Sequence, residues 1–219
     1  DFEEARREMV ERQLKTARRG IKNERVLRAM AKVPRHEFVP EGRRDVAYRD
    51  SALPIGFEQT ISQPNIQAIK TEKHDTQEGE RVIEIATDTG YQAAVLGELV
   101  NEVYSIEIVK PLAERAAKTL KKLGYENVKT KAGDGYKGWV EHAPFDAVIV
   151  TCAPDHIPAP LVDQQKEGGK MIIPVGERGG VQELVLLKKE EGKLVRKSVL
   201  PVRFVPMTGE SEKGTRKKE

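Results

Sequence analysis

Arg81 to Val100 reads Arg-Val-Ile-Glu-Ile-Ala-Thr-Asp-Thr-Gly-Tyr-Gln-Ala-Ala-Val-Leu-Gly-Glu-Leu-Val. Arg81 to Ile85 is a short apolar run, Ala86 to Gly90 a Thr/Gly turn, and Ala94, Val95 and Leu99 then recur at helical spacing. The stretch therefore predicts strand, turn, helix. Downstream the alternation repeats: a strand over Val103 to Val109, a helix over Pro111 to Leu123 with proline in its first turn, and a strand over Val128 to Ala132. Ala147 to Thr151 is a continuous β-branched run, the pattern of a strand buried on both faces. A short helix over Pro160 to Gln165, the Gly168-Gly169 turn and a strand over Lys170 to Pro174 follow. Glu183 to Lys188 and Ser198 to Val205 alternate around the Glu190 to Lys193 turn and read as a hairpin. Upstream, helices are expected over Phe2 to Leu14 and Asn23 to Lys32, then an irregular segment from Pro40 to Pro64. Strands alternating with helices predict an α/β fold: a doubly wound, mostly parallel Rossmann-like sheet, helices on both faces and a C-terminal antiparallel hairpin. One domain is expected over residues 1–210, divided into N-terminal helices and loop (1–64), core (79–176) and hairpin (177–210), with a basic flexible tail over 211–219.

Composition narrows the function classes. Charged residues make up 33% and aromatics 5% of the 219 residues, so the interior is expected to be mainly Val, Ile, Leu and Ala under a charged surface. The net charge is only +3 and the basic residues are interleaved with acidic ones, which does not suggest nucleic-acid binding. A single cysteine, Cys152, excludes an internal disulfide, and it reads as a small buried hydrophobe. The four histidines show no ligand spacing, so no metal is expected. No apolar run is long enough for a membrane span and no secretory leader is visible, which points to a cytoplasmic protein.

In an open parallel sheet the ligand lies beyond the carboxyl ends of the strands, so the Ala86 to Gly90 turn is the first place to look. Glu107 ends the next strand 17 positions after Gly90, where a carboxylate accepts both hydroxyls of a ribose. Gly133-Asp134-Gly135 follows the third strand, where glycine admits close backbone approach and Asp134 could accept from an adenine amino group. Taken in strand order, the three places describe a pocket for an adenosine-bearing cofactor.

The resemblance is then specific. Leu53-Pro54-Ile55-Gly56, Gln59-Thr60-Ile61-Ser62-Gln63-Pro64, Gly90-Tyr91-Gln92-Ala93-Ala94, Tyr104-Ser105-Ile106-Glu107, Gly133-Asp134-Gly135, Ile173-Pro174-Val175-Gly176 and Arg203-Phe204-Val205-Pro206 resemble, in order, the protein-L-isoaspartate O-methyltransferase family. The resemblance implies transfer of a methyl group from S-adenosyl-L-methionine to the side-group carboxylate of L-isoaspartyl residues in damaged proteins, ahead of succinimide closure and repair. It implies that Ser62 orients that carboxylate, that Glu84, Ala86, Asp88, Gly90, Glu107, Asp134 and Gly135 contact the cofactor, and that Thr60, Ser62, Val205 and Pro206 contact the peptide. The expected partners are isoaspartyl peptides and proteins, met by a monomer.

Two departures stand out. The family's first turn is Gly-x-Gly-x-Gly, and here two of those glycines are Ala86 and Asp88. A carboxylate at Asp88 is expected to weaken cofactor affinity by repelling the carboxylate of the methionine moiety; the opposite effect, attraction of its ammonium or sulfonium, stays open. After Pro64 the family's apolar helix face is replaced by Asn65-Ile66-Gln67-Ala68-Ile69-Lys70-Thr71-Glu72-Lys73-His74, in which only Ile66, Ala68 and Ile69 suit burial. The segment is expected to be mobile or displaced. A non-catalytic binding protein on the same scaffold is the alternative, and a nucleotide-linked oxidoreductase a third option that lacks the complete Gly-x-Gly-x-x-Gly turn.

Overall fold

The computed structural model describes residues 1–18 and 20–212; most of the expected basic tail lies outside the described residues. Helix α1 (Phe2–Glu8) runs on as a π-helical Met9–Lys15 whose Met9, Val10 and Leu14 are buried. Helix α2 (Glu24–Lys32) starts where the Asn23 side chain accepts from the Arg25 and Val26 amides. The segment expected to be wholly irregular contains a small antiparallel hairpin, β1 (Leu53–Gly56) and β2 (Gln59–Ile61), turned through Phe57 and Glu58 at positive φ. Strands of four and three residues carry too little alternation to be legible.

The core follows as β3 (Arg81–Ile85), α4 (Tyr91–Leu99), β4 (Glu102–Glu107), α5 (Lys110–Lys122), β5 (Val128–Ala132), β6 (Phe145–Val150), α6 (Ala159–Gln164), β7 (Gln165–Val175), β8 (Gln182–Glu190) and β9 (Lys193–Val202). One seven-stranded sheet runs β5-β4-β3-β6-β7-β8-β9, parallel from β5 through β7 and antiparallel at β8 and β9. The order reverses at β3, whose neighbours β4 and β6 lie on opposite sides, so the crevice of the fold opens at its carboxyl end. Alternation along each strand separates two cores. Val82, Val103, Ala147, Ile149 and Ile172 pack beneath the helices of one face, and Ile83, Ile85, Ile106, Val148, Val150 and Met171 pack against Leu161 of α6 and the loops of the other face. Cys152 is buried and free.

The expected displacement after Pro64 does not occur. Pro64–His74 forms a regular helix, α3, with proline in its first turn and Asp75 at φ 47° closing it, packed on β6 and β7. Its inward stripe is polar: Gln67, Lys70, Thr71 and His74, at the i, i+3, i+4, i+7 spacing of a buried face, are all buried, while Lys73 is exposed. Three of the four inward residues are hydrogen-bonded, and Lys70 is not. The Gln67 side-chain oxygen accepts from Arg35, the Thr71 hydroxyl donates to the Gln67 carbonyl, and His74 Nε2 lies 2.9 Å from the Val148 carbonyl. Burial drops the His74 pKa to about 4, so the ring is neutral and Nε2–H donates. Lys70 Nζ lies 5.0 Å from the centre of the Phe204 ring, within the field of Glu84 and Asp88, and burial lowers its pKa to about 8. Sequence patterning missed this stripe because it equates burial with apolarity, and the partners come from five other elements.

Candidate active site

Site geometry begins at the turn after β3. The Ala86 and Thr87 amides donate to the Ile106 carbonyl, and the Thr151 hydroxyl donates to the carbonyls of Ile85 and Ala86, so the turn is pinned between β4 and β6. Within it Ala86, Asp88 and Gly90 all have positive φ, at 73°, 52° and 90°. The backbone thus keeps the conformation that glycine adopts freely, and two side-chain-bearing residues are held in it at a cost of about 1 kcal/mol each.

On the β4 side of the turn, Glu107 is buried and its two carboxylate oxygens accept from the Asp88 amide at 2.8 Å and the Val109 amide at 3.0 Å. The Ile108 amide and the Asp88 carboxyl bond to it as well, so Glu107 is the group on which the turn and the start of the next loop converge. Glu107 opens onto a narrow pocket whose walls are Ala86, Ile85, Ile106, Ile108, Gly135 and Met207, with Gln59, Cys152, Pro206 and Thr208 around them. Gly135 belongs there for a steric reason: a Cβ would stand 2.4 Å from Ile85 Cγ2. Asp134 is placed differently from its neighbour. Its oxygens accept from the Tyr136 amide at 3.0 Å and the Glu210 amide at 2.8 Å, so it ties the C-terminal segment down and does not line the pocket. Val205 and Pro206 are fixed beside it by the Ala153 amide donating to the Val205 carbonyl and by a bridge between Ala153 and Pro206.

A second recess, sharing Ala86, lies on the α3 side and is lined by Ser62, Gln67, Glu84, Thr87, Asp88, Thr89, Gln92 and Thr151. Glu84 is fully buried; the Ser105 hydroxyl donates to its Oε1 at 2.6 Å and approaches the Thr87 hydroxyl at 2.6 Å. Burial pushes the Glu84 carboxyl up to about 8 and the Asp88 carboxyl, which also faces Glu107 and Glu84, well above its usual range. Four buried polar atoms here have no hydrogen-bond partner: Glu84 Oε2, Asp88 Oδ1, Gln92 Oε1 and Lys70 Nζ. Orphans of this kind are rare in protein interiors, and three of the four residues line the recess. Ser62, just after β2, is half-buried in its lining, whereas Thr60 in β2, also half-buried, lines neither pocket.

Joined at Ala86, the two pockets offer hydroxyl acceptors and apolar walls at one end and unsatisfied carboxyl and amide groups at the other. Acceptors at both ends with an apolar wall between suit the hydroxyls and the ammonium of an adenosine attached to an amino acid. The sequence profile described as protein-L-isoaspartate(D-aspartate) O-methyltransferase matches residues 5–212. The chain belongs to this family. It is 53% identical over 210 residues to protein-L-isoaspartate O-methyltransferase 2 of Syntrophobacter fumaroxidans, covering 95% of this chain and 83% of the relative. To the Gloeobacter violaceus protein-L-isoaspartate O-methyltransferase it is 51% identical over 202 residues, 92% of this chain and 98% of the relative. A solved protein-L-isoaspartate O-methyltransferase superposes with a TM-score of 0.84 at 29% identity over 99% of this chain and 70% of its own. A Plasmodium falciparum protein assigned to the family, solved with S-adenosyl-L-homocysteine, superposes at 0.80 with 23% identity over 95% and 98% of the two chains, a likeness of fold.

The residues that sequence reading passed over are Arg35, Gln67, Lys70 and Gln92. Three of them share one hydrogen-bonded run through Thr71: Arg35 donates to Gln67, Thr71 donates to the Gln67 carbonyl, and Gln92 Nε2 donates to the Thr71 hydroxyl at 2.9 Å, while Lys70 stands beside it without a hydrogen-bond partner. No motif announces such a run, because its members are polar residues whose partners lie up to 32 positions away. Among the described residues no group of His, Cys, Asp and Glu is arranged to hold a metal, and no helix is long and apolar enough to cross a membrane.

Proposed function

We infer that this chain transfers a methyl group from S-adenosyl-L-methionine to the side-group carboxylate of L-isoaspartyl residues in proteins and peptides, the first step of their repair. The supporting observation is the two-ended pocket at the carboxyl edge of β3, with Glu107 at the ribose position and Ser62 at the opposite rim. When bound, S-adenosyl-L-methionine supplies a methyl carbon already activated by its sulfonium leaving group. What remains for the protein is orientation. An ordinary carboxylate has a reference pKa near 4 and is already ionised at neutral pH, so the nucleophile needs no general base. The Ser62 hydroxyl donates to that carboxylate and fixes which oxygen faces the methyl carbon, and Thr60, Val205 and Pro206 hold the peptide on either side. Glu107 accepts from the ribose hydroxyls, Ala86 and Gly90 let the turn pass close to the ligand, Gly135 borders the adenine, and Asp134 frames that border. Glu84, Asp88 and Gln92 face the amino-acid end, where an ammonium group satisfies their unpartnered oxygens. Ile85 and Ile106 keep water from the ribose, and closure of the mouth strips hydration from the attacking oxygen.

Radiolabelled methyl transfer to an isoaspartyl peptide, run beside its normal aspartyl twin, tests the reading. Label is expected in the first alone. Asp88 favours one competing reading, cofactor-deficient binding of altered peptides, since its buried carboxyl crowds the amino-acid end; absence of both methyl transfer and S-adenosyl-L-homocysteine binding would establish that alternative.

A further inference from the structure

Arg35 is a fully buried cation with no acidic partner. It sits in the turn after α2, and its guanidinium makes three short bonds to neutral acceptors. Nε donates to the Ala47 carbonyl at 2.6 Å, Nη1 to Gln67 Oε1 at 2.6 Å and Nη2 to the Ser62 carbonyl at 2.9 Å, with the Tyr91 ring 5.0 Å from Cζ. Among the described residues it enters no ion pair, and the ionisable groups nearest to it are Tyr91 and Tyr48. A guanidinium stays protonated even when buried, so the interior carries a positive charge that no ion pair among the described residues neutralises. Two of the three acceptors, Ser62 and Gln67, are residues that line the recess. A scaffold bond alone calls for no cation; a neutral donor would join Ala47 to Ser62 without the desolvation cost.

We propose that Arg35 is a positioning residue for the methyl-accepting carboxylate: its fork fixes the Ser62 backbone and the Gln67 amide, and its uncompensated charge, lying behind that loop, favours an anionic side group at the Ser62 rim over a neutral one. The proposal rests on the methyl-transfer reading and adds to it the source of selectivity for an ionised acceptor.

The test compares wild type, Arg35→Met and Arg35→Lys on an isoaspartyl peptide as substrate and on the same peptide with a neutral isoasparaginyl side group as competitive inhibitor, with S-adenosyl-L-homocysteine affinity and thermal stability measured alongside. Arg35→Met is expected to raise KM for the isoaspartyl peptide about tenfold while the inhibition constant of the neutral peptide moves less than about twofold. Arg35→Lys, which keeps the charge and loses the fork, is expected to keep the preference for the anionic peptide, to lower kcat about tenfold and to raise hydrogen exchange over 59–63. In both variants S-adenosyl-L-homocysteine affinity is expected to stay within about threefold of wild type. Parallel weakening of both peptides, or Arg35→Lys losing the anionic preference, overturns the proposal while leaving the methyl-transfer reading intact. A wild-type chain that methylates neither peptide nor its aspartyl twin overturns both.

Discussion

The two ends of the pocket are built on opposite principles. At the proposed adenosine end Glu107 is already held by two backbone amides, Gly135 is pressed on Ile85, and the remaining wall is largely apolar, so its groups are fixed in place before any ligand arrives. At the amino-acid end Glu84, Asp88, Gln92 and Lys70 each leave a buried polar atom unpaired, and the turn that carries Asp88 is held at positive φ. The first end resembles an ordinary core with one anchored carboxyl in it. The second is a polar interior whose protonation balance depends on what enters it. A pocket can therefore be rigid at one end and electrostatically unsettled at the other, although both are lined by one five-residue turn.

The largest test of this contrast removes the Glu107 carboxylate. Glu107→Ala deletes the oxygens proposed to accept from the ribose and the anchors of the Asp88 and Val109 amides, and S-adenosyl-L-homocysteine affinity is expected to fall at least about 100-fold by titration calorimetry. A loss under tenfold would mean that the amino-acid end dominates binding. His74 probes the polar floor beneath the amino-acid end. Its folded pKa, about 4, lies below the ordinary 6.5, so the folded state resists protonation. No penalty exists above pH 6.5; it grows as pH falls through that value and levels off below pH 4 at about 3 kcal/mol. His74→Gln keeps a donor for the Val148 carbonyl without titrating, and the acid-side loss of stability in urea melts is expected to shrink by that amount; an unchanged pH profile refutes the assignment.

Asp88→Gly acts on the unsettled end directly. It relieves backbone strain of about 1 kcal/mol and removes a carboxyl from the position facing the methionine moiety, so stability should rise by that amount and cofactor affinity by about tenfold. Unchanged affinity would show that the ligand's ammonium compensates for Asp88, the attraction that the sequence left open. The smallest effect expected is the coupling in a double-mutant cycle of Lys70→Met with Asp88→Gly, about 1 kcal/mol, read from denaturant midpoints. Zero coupling would place Lys70 outside the charge balance of the pocket.

How far the sequence reaches differs between these regions in the same way. The turn after β3, Glu107 and the Gly133 to Gly135 turn were legible because local pattern and strand order place them together without any knowledge of packing. The structure brings Glu84, Ala86, Asp88 and Ser62 to one recess and Glu107, Gly135 and Pro206 to the other, and sets Asp134 to holding the chain behind them. The helix after Pro64 was misread: its polar residues suggested exposure, yet Gln67, Thr71 and His74 meet donors and acceptors from α2's following turn, α4 and β6.

Alternation of apolar runs with helical spacing determined the doubly wound sheet, since hydrophobic periodicity is a property of neighbours in the chain. The same chain-local logic marked the turn that departs from three glycines. Only the tertiary structure decided that Ala86 and Asp88 keep a glycine-like backbone, that Lys70 is buried beside carboxyls, and that Arg35 stands unneutralised behind Ser62. Burial of a charge is set by the sum of distant partners and excluded water, and no stretch of sequence contains that sum.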